Sequence, residues 1–132
     1  MTVFADAFFY VALINRNDAY HSRVTDHAQN YGGTVLTTEW VLTEVADALA
    51  ASNSRKRVHA AFQELMKDPE TRIIPASPQL FARGLELYDN RSDKTWSLTD
   101  CISFVVMKDE GLSEALTGDR HFAQAGFVPI FA

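Results

Sequence analysis

Short β-compatible runs alternate with helix-forming segments along almost the whole chain, and this alternation limits the possible fold more than any other feature. Residues 1–5 are apolar and strand-like and stop at Asp6. Residues 8–14 stay apolar, as a buried turn or helix would, and residues 15–18 break them. A short amphipathic helix is expected over 19–29, with Gly32 and Gly33 as its stop signal. Residues 35–38 read as a strand, after which Thr38 can cap a helix over 39–50 whose apolar face carries Val41, Val45, Ala48 and Leu49. Val58, Phe62 and Leu65 lie at helical spacing within 55–66, and Asp68-Pro69 closes that segment. A strand over 72–76 leads into Ser77-Pro78, a cap followed by proline at the first helical position, which starts a helix reaching about Tyr88. Ser97 caps the next helix, which carries Cys101, Phe104, Val105 and Met107 and stops at Gly111. Strands over 114–117 and 127–131 complete the chain. Strands alternating with helices predict an α/β fold, a three-layer sandwich with a central parallel sheet and helices on both faces.

At 132 residues, with no visible linker and no internal repeat, the chain is expected to form a single domain over 1–132. Its 47% hydrophobic content and nine phenylalanines supply a core without covalent staples. The lone Cys101 excludes an internal disulfide framework and a cysteine-rich metal site. No signal peptide and no membrane span of about 20 apolar residues is visible, so a soluble, cytoplasmic protein is expected. The net charge of −5, from 12 basic and 17 acidic residues, argues against a broad nucleic-acid-binding surface. Acids gathered around a metal would be neutralised by it, however, so composition leaves the partner open.

The acids themselves are more informative. Asp6 and Asp119 each stand where a strand ends, and in a parallel sheet such positions share the carboxyl edge, where open α/β sheets bind ligands. Glu44 and Asp100 sit in apolar helical surroundings, Asp100 in the first turn of the helix opened by Ser97. Carboxylates among apolar neighbours are unfavourable unless compensated, and convergent acids without Cys or His ligands favour Mg²⁺ or Mn²⁺. Three of these acids also have a plain structural explanation. Asp100 can complement a helix dipole, Glu44 can be an exposed helix acid, and Asp119 a turn residue beside Gly118. The residues alone therefore point to a possible acidic metal site in an α/β domain.

Four blocks, spread from end to end, resemble the PIN-domain family and within it the VapC-type toxin branch. They are VFADAFFYVA (3–12) with Asn17-Asp18-Ala19-Tyr20-His21, TTEWVLTEVADAL (37–49), WSLTDCISF (96–104) and ALTGDRHFAQAGF (115–127), the last with a T-x-D-x-H-F signature. The resemblance places the family's acids at Asp6, Glu44, Asp100 and Asp119, and an auxiliary hydroxyl at Thr117. Glu39 and Asp47 fall outside the motif position. The pattern departs at Ala7, where many relatives carry Thr or Ser after the first aspartate.

The resemblance implies a divalent-metal-dependent endoribonuclease, using one or two Mg²⁺ or Mn²⁺ ions and leaving 5′-phosphate and 3′-hydroxyl ends. Asp6, Asp100 and Asp119 would contact metal directly or through water, and Glu44 would bind metal or orient the attacking water. It also implies a toxin paired with a small antitoxin, and a homodimer, for which Phe62 and Leu65 offer apolar surface if they are not core. For RNA contact, Lys94 and Arg120 are better placed than the Arg55-Lys56-Arg57 run, which reads as a solvated helix start. His121 is close enough to Asp119 to approach substrate or to serve the turn, and Cys101 reads as a core thiol. A haloacid-dehalogenase-type phosphotransferase would need an aspartate at position 8, which is Phe. A response-regulator receiver would need a late-strand lysine and a mid-chain phosphoacceptor at a strand end, and neither is visible. The alternative from another class is a PIN-like module that binds RNA or a partner without cutting.

Overall fold

The computed structural model describes residues 1–51 and 53–132. Its strands are β1 (Thr2–Ala5), β2 (Thr34–Thr38), β3 (Thr71–Ile74), β4 (Glu114–Leu116) and β5 (Val128–Pro129). Its helices are α1 (Ala7–Ile14), α2 (His21–Asn30), α3 (Glu39–Ala48), α4 (Arg55–Lys67), α5 (Pro78–Asn90), α6 (Leu98–Asp109) and α7 (Arg120–Gln124). All pairings are parallel, in the order β3-β2-β1-β4-β5. The expected helix-flanked parallel sheet is what the chain forms.

The strand order positions everything that follows. From β1 the chain steps outward to β2 and β3, then returns past β1 to lay down β4 and β5. The direction therefore reverses between β1 and β4, which pair through Phe4 with Ala115 and Ala5 with Leu116. A crevice opens at such a switch point, at the carboxyl ends of the strands. Right-handed crossovers put the helices before the reversal on one face and those after it on the other. The packing follows this division, α1 meeting α2, α3 and α4 and α6 meeting α5 and α7, with α3 and α6 touching as well.

Local signals explain most helix starts. Thr38 Oγ1 accepts from Val41 N at 3.1 Å, Ser77 Oγ from Leu80 N at 3.2 Å and Ser97 Oγ from Asp100 N at 3.0 Å. Each satisfies a backbone donor that the first turn leaves free. Helix α1 is apolar on nearly every side and is sunk between layers, with Phe9, Tyr10, Ala12 and Ile14 buried. Helices α5 and α6 meet at Gly84, where an added Cβ would lie 2.3 Å from Ile102 Cγ1. Cys101 is fully buried, as expected of a core thiol. Phe62 and Leu65 pack, partly buried, against the core, while Phe81, Leu85 and Tyr88 of α5 stay substantially exposed.

Several boundaries differ from the sequence reading. Helix α2 begins at His21 and not residue 19, because Asp18 Oδ1 accepts from Tyr20 N at 2.8 Å and holds a turn there. Strand β4 ends at Leu116, because Thr117 N turns back to Ala115 O at 3.0 Å. Strand β5 spans two residues where five were expected. Helix α7 was not anticipated: at five residues it is too short to show a periodic apolar face. Among the described residues, no helix is long and apolar enough to cross a membrane.

Candidate active site

Asp6 follows β1 directly and occupies the N-cap of α1, yet its side chain makes no capping bond. It is 6% exposed and accepts a hydrogen bond from Thr117 Oγ1 at 2.9 Å. That hydroxyl in turn accepts from Asp119 N at 3.1 Å. Thr117, itself fully buried, thus ties the acid after β1 to the acid after β4. Asp119 caps α7, its Oδ1 accepting from His121 N at 2.8 Å.

Asp100 reaches the same crevice from α6. It is the third residue of a reciprocal capping box, with Oδ2 accepting from Ser97 N at 3.3 Å. The helix-end role considered for Asp100 is real, and the same carboxylate still reaches His121 Nδ1 at 3.1 Å. His121 Nδ1 also lies 3.4 Å from Asp119 Oδ1, so one imidazole edge faces two carboxylates. The far ring nitrogen, Nε2, is 3.3 Å from Thr95 Oγ1. Trp96 Nε1 donates to Gln124 Oε1 at 3.0 Å, which fastens the segment before α6 to α7.

Glu44 projects from the half-buried side of α3 and is electrostatically coupled to the group. Burial is the main cause of its raised pKa, followed by the charges of Asp100, Asp119 and Asp47. Burial likewise pushes Asp6 up to about 7, opposed by the Thr117 bond and reinforced by Asp100 and Glu44. Asp100 is raised by burial against the His121 and Ser97 bonds, with Asp119 adding to the rise. Among the described residues, none of these four acids pairs with Lys or Arg. Mutually repelling carboxylates with no Lys or Arg paired with them, and His121 as their one basic neighbour among the described residues, form a donor set suited to a divalent cation. Atoms of Asp100, Asp119 and His121 could hold one, lying within 4.8 Å of one another.

The structure thus joins Asp6, Thr117, Asp119 and Asp100 through hydrogen bonds that include His121, with Glu44 near enough for its charge to act on Asp6. Lys94 forms a long pair with Asp93, at 3.8 Å, and Arg120 is exposed at the first position of α7. Arg55 and Arg57 are turned to the Ala50 carbonyl and the Ser54 hydroxyl, as a solvated helix start would have them. His121 is the site residue that sequence reasoning left undecided. Its signal was present: a residue two positions after an N-capping aspartate has its backbone fixed by that carboxylate.

Comparison with known proteins finds relatives over nearly the whole chain. Residues 3–128 match the family model described as "PIN domain". The 23S rRNA-specific endonuclease VapC20 of Mycobacterium tuberculosis is 27% identical over 128 residues, 97% of either chain. A crystal structure of VapC20, described as a Sarcin-Ricin loop cleaving toxin, superposes with a TM-score of 0.88 at 26% identity, covering 97% of this chain and 98% of that one. VapBC2 from Rickettsia felis, bound to a DNA fragment from their promoter, shares the fold at 16% identity and a TM-score of 0.66, covering 98% and 97%. FitAcB from Neisseria gonorrhoeae does so at 17% and 0.65, covering 100% and 97%.

Proposed function

The chain belongs to the PIN-domain family, and from that premise we propose that it is a divalent-metal-dependent endoribonuclease, the toxin of a toxin–antitoxin pair. The observation that carries this reading is the grouping of Asp6, Asp100 and Asp119, joined through Thr117 and His121 where the strand order reverses, with Glu44 near enough to feel the charges of Asp100 and Asp119 and, among the described residues, no Lys or Arg paired with any of the four. A module that only bound RNA would gain nothing from uncompensated carboxylates facing phosphate, and would be weakened by them.

Asp6, Asp100 and Asp119 would hold Mg²⁺ or Mn²⁺. When bound, the cation acidifies a water and neutralises charge on the scissile phosphate. Glu44, on the opposing helix, binds the cation or orients the attacking water. Thr117 holds Asp6 and the Asp119 backbone in a fixed relation, and Asp6 contributes best as the anion, a state that a cation favours over its proton. The water oxygen attacks phosphorus and the 3′-oxygen leaves, giving 5′-phosphate and 3′-hydroxyl ends. Lys94 and Arg120 flank the crevice in sequence and are assigned to the RNA backbone. Residues 1–132 work as a single domain, in the cytoplasm, with a small antitoxin protein as the controlling partner and a second copy as the dimer partner.

The 23S rRNA specificity in the name of VapC20 makes ribosomal RNA the first substrate to test. Purified protein, freed of antitoxin, is incubated with ribosomes, 23S rRNA and total RNA in Mg²⁺, Mn²⁺ or EDTA, beside Asp100→Asn. Cation-dependent cutting that the variant lacks is expected. Metal binding by folded protein without cutting of any of these RNAs would favour the non-catalytic module.

A further inference from the structure

We propose that His121 is itself a ligand of the bound cation, placing one imidazole nitrogen among the carboxylates and tilting the site toward Mn²⁺ or Co²⁺ over Mg²⁺. The inference rests on the metal-dependent reading above and adds a residue and a selectivity to it.

Three observations carry it. First, spacing: His121 Nδ1 stands 3.1 Å from Asp100 Oδ2 and 3.4 Å from Asp119 Oδ1. Adjacent vertices of an octahedron with bonds of about 2.1 Å are roughly 3 Å apart. The nitrogen therefore lies where a neighbouring ligand of one ion would lie, and the three atoms converge within 4.8 Å. Second, orientation: a metal-bound histidine normally gives its other ring N–H to an oxygen acceptor. Thr95 Oγ1, 3.3 Å from Nε2, is that acceptor. A hydroxyl both donates and accepts, so Thr95 serves the tautomer with the proton on Nδ1 and the one that frees Nδ1 for a cation. Third, rigidity: His121 N is bonded to Asp119 Oδ1, and Trp96 is bonded to Gln124 across the same two segments. The backbone that carries the ring and the segment that carries Thr95 are thus held together before any ion arrives.

The selectivity follows from ligand chemistry. Oxygen ligands suit Mg²⁺, whereas imidazole suits transition ions, whose affinity rises from Mn²⁺ to Co²⁺. Removing the nitrogen should therefore weaken Mn²⁺ and Co²⁺ more than Mg²⁺.

Metal-free protein is loaded with Mn²⁺ and its pulsed EPR spectrum is recorded for ¹⁴N coupling, with wild type, His121→Gln and Thr95→Val in parallel. Calorimetry supplies Mn²⁺ and Mg²⁺ affinities, and circular dichroism checks the fold of each variant. Wild type should show imidazole coupling that His121→Gln lacks, which sets aside His21, His27 and His59. Mn²⁺ affinity should fall about ten-fold or more in that variant, with a smaller loss for Mg²⁺. Thr95→Val should keep the coupling and bind Mn²⁺ more weakly. Bound Mn²⁺ without ¹⁴N coupling, or coupling that persists in His121→Gln, overturns this inference and leaves the metal-dependent nuclease standing. Absence of Mn²⁺ binding by folded wild type overturns both.

Discussion

In metal-free protein, replacing Asp6 by Asn should stabilise the fold at alkaline pH while abolishing its activity. Asp6 titrates near 3.8 when free and is pushed up to about 7 in the folded chain, chiefly by burial. Between those values the folded state holds a proton that the unfolded state has released, so stability falls as pH rises. Above about pH 7 both states are ionised and the full cost is present; below 3.8 both are protonated and there is none. The separation corresponds to about 4 kcal/mol. Asn carries no charge and its carbonyl can still accept from Thr117 Oγ1, so it avoids most of that cost. At pH 8 in EDTA, Asp6→Asn should melt roughly 10–15 °C above wild type. At pH 4.5 the advantage should shrink to about 1 kcal/mol. Saturating Mn²⁺ at pH 8 should close much of the gap by stabilising wild type, by about 2.7 kcal/mol at one hundred times the dissociation constant. Urea or thermal melts at the two pH values with and without Mn²⁺ make the comparison. Equal stabilities at pH 8, or an advantage as large at pH 4.5, would refute the account of Asp6 as a buried acid awaiting a cation.

Thr117→Val removes the donor to Asp6 and the acceptor of Asp119 N–H. It should cost about 1–3 kcal/mol in denaturant melts, push the Asp6 pKa further up, and weaken Mn²⁺ binding by calorimetry. Gly84→Ala drives a methyl into Ile102 across the α5–α6 contact and should cost about 1–3 kcal/mol in thermal melts, leaving Mn²⁺ affinity nearly unchanged. Lys94→Ala and Arg120→Ala, made in the Asp100→Asn background so that RNA is not cut, should each lower RNA affinity and reduce the salt slope by about one. An unchanged salt slope in filter binding would remove both residues from the RNA surface.

The positions of the four acids were legible because each is tied to a local signal. Asp6 ends an apolar run, Glu44 follows the Thr38 cap by six residues, Asp100 is the third residue after the Ser97 cap, and Asp119 follows Gly118. Parallel pairing was legible for β1, β2 and β3, since each is followed by helix-forming chain. The strand order was not. Nothing in residues 1–5 or 114–117 says that β1 and β4 are neighbours, and that adjacency is what turns two strand ends into one crevice. The short α7 and the two-residue β5 escaped because neither is long enough to show a period.

The same adjacency bears on Ala7, where the sequence lacks the hydroxyl that many relatives carry. Ala7 opens α1 with a buried methyl, so its side chain cannot orient Asp6, although its backbone bonds the Asp6 carboxylate. Thr117 provides that hydroxyl across the β1–β4 pair, from a position 111 residues away in sequence. The link also restrains Asp119, which a hydroxyl at position 7 would have no evident means to do, because Thr117 accepts the Asp119 backbone N–H. Asp119 then fixes the His121 backbone, and the His121 ring meets Asp100. One continuous chain of hydrogen bonds thus runs from the end of β1 through the end of β4 to the start of α6. Breaking it at Thr117 should therefore disturb Asp6 and Asp119 together, whereas removing His121 should disturb Asp100 and Asp119 and spare Asp6. With Ala7 beside it, Asp6 draws its hydroxyl support from the tertiary neighbour Thr117.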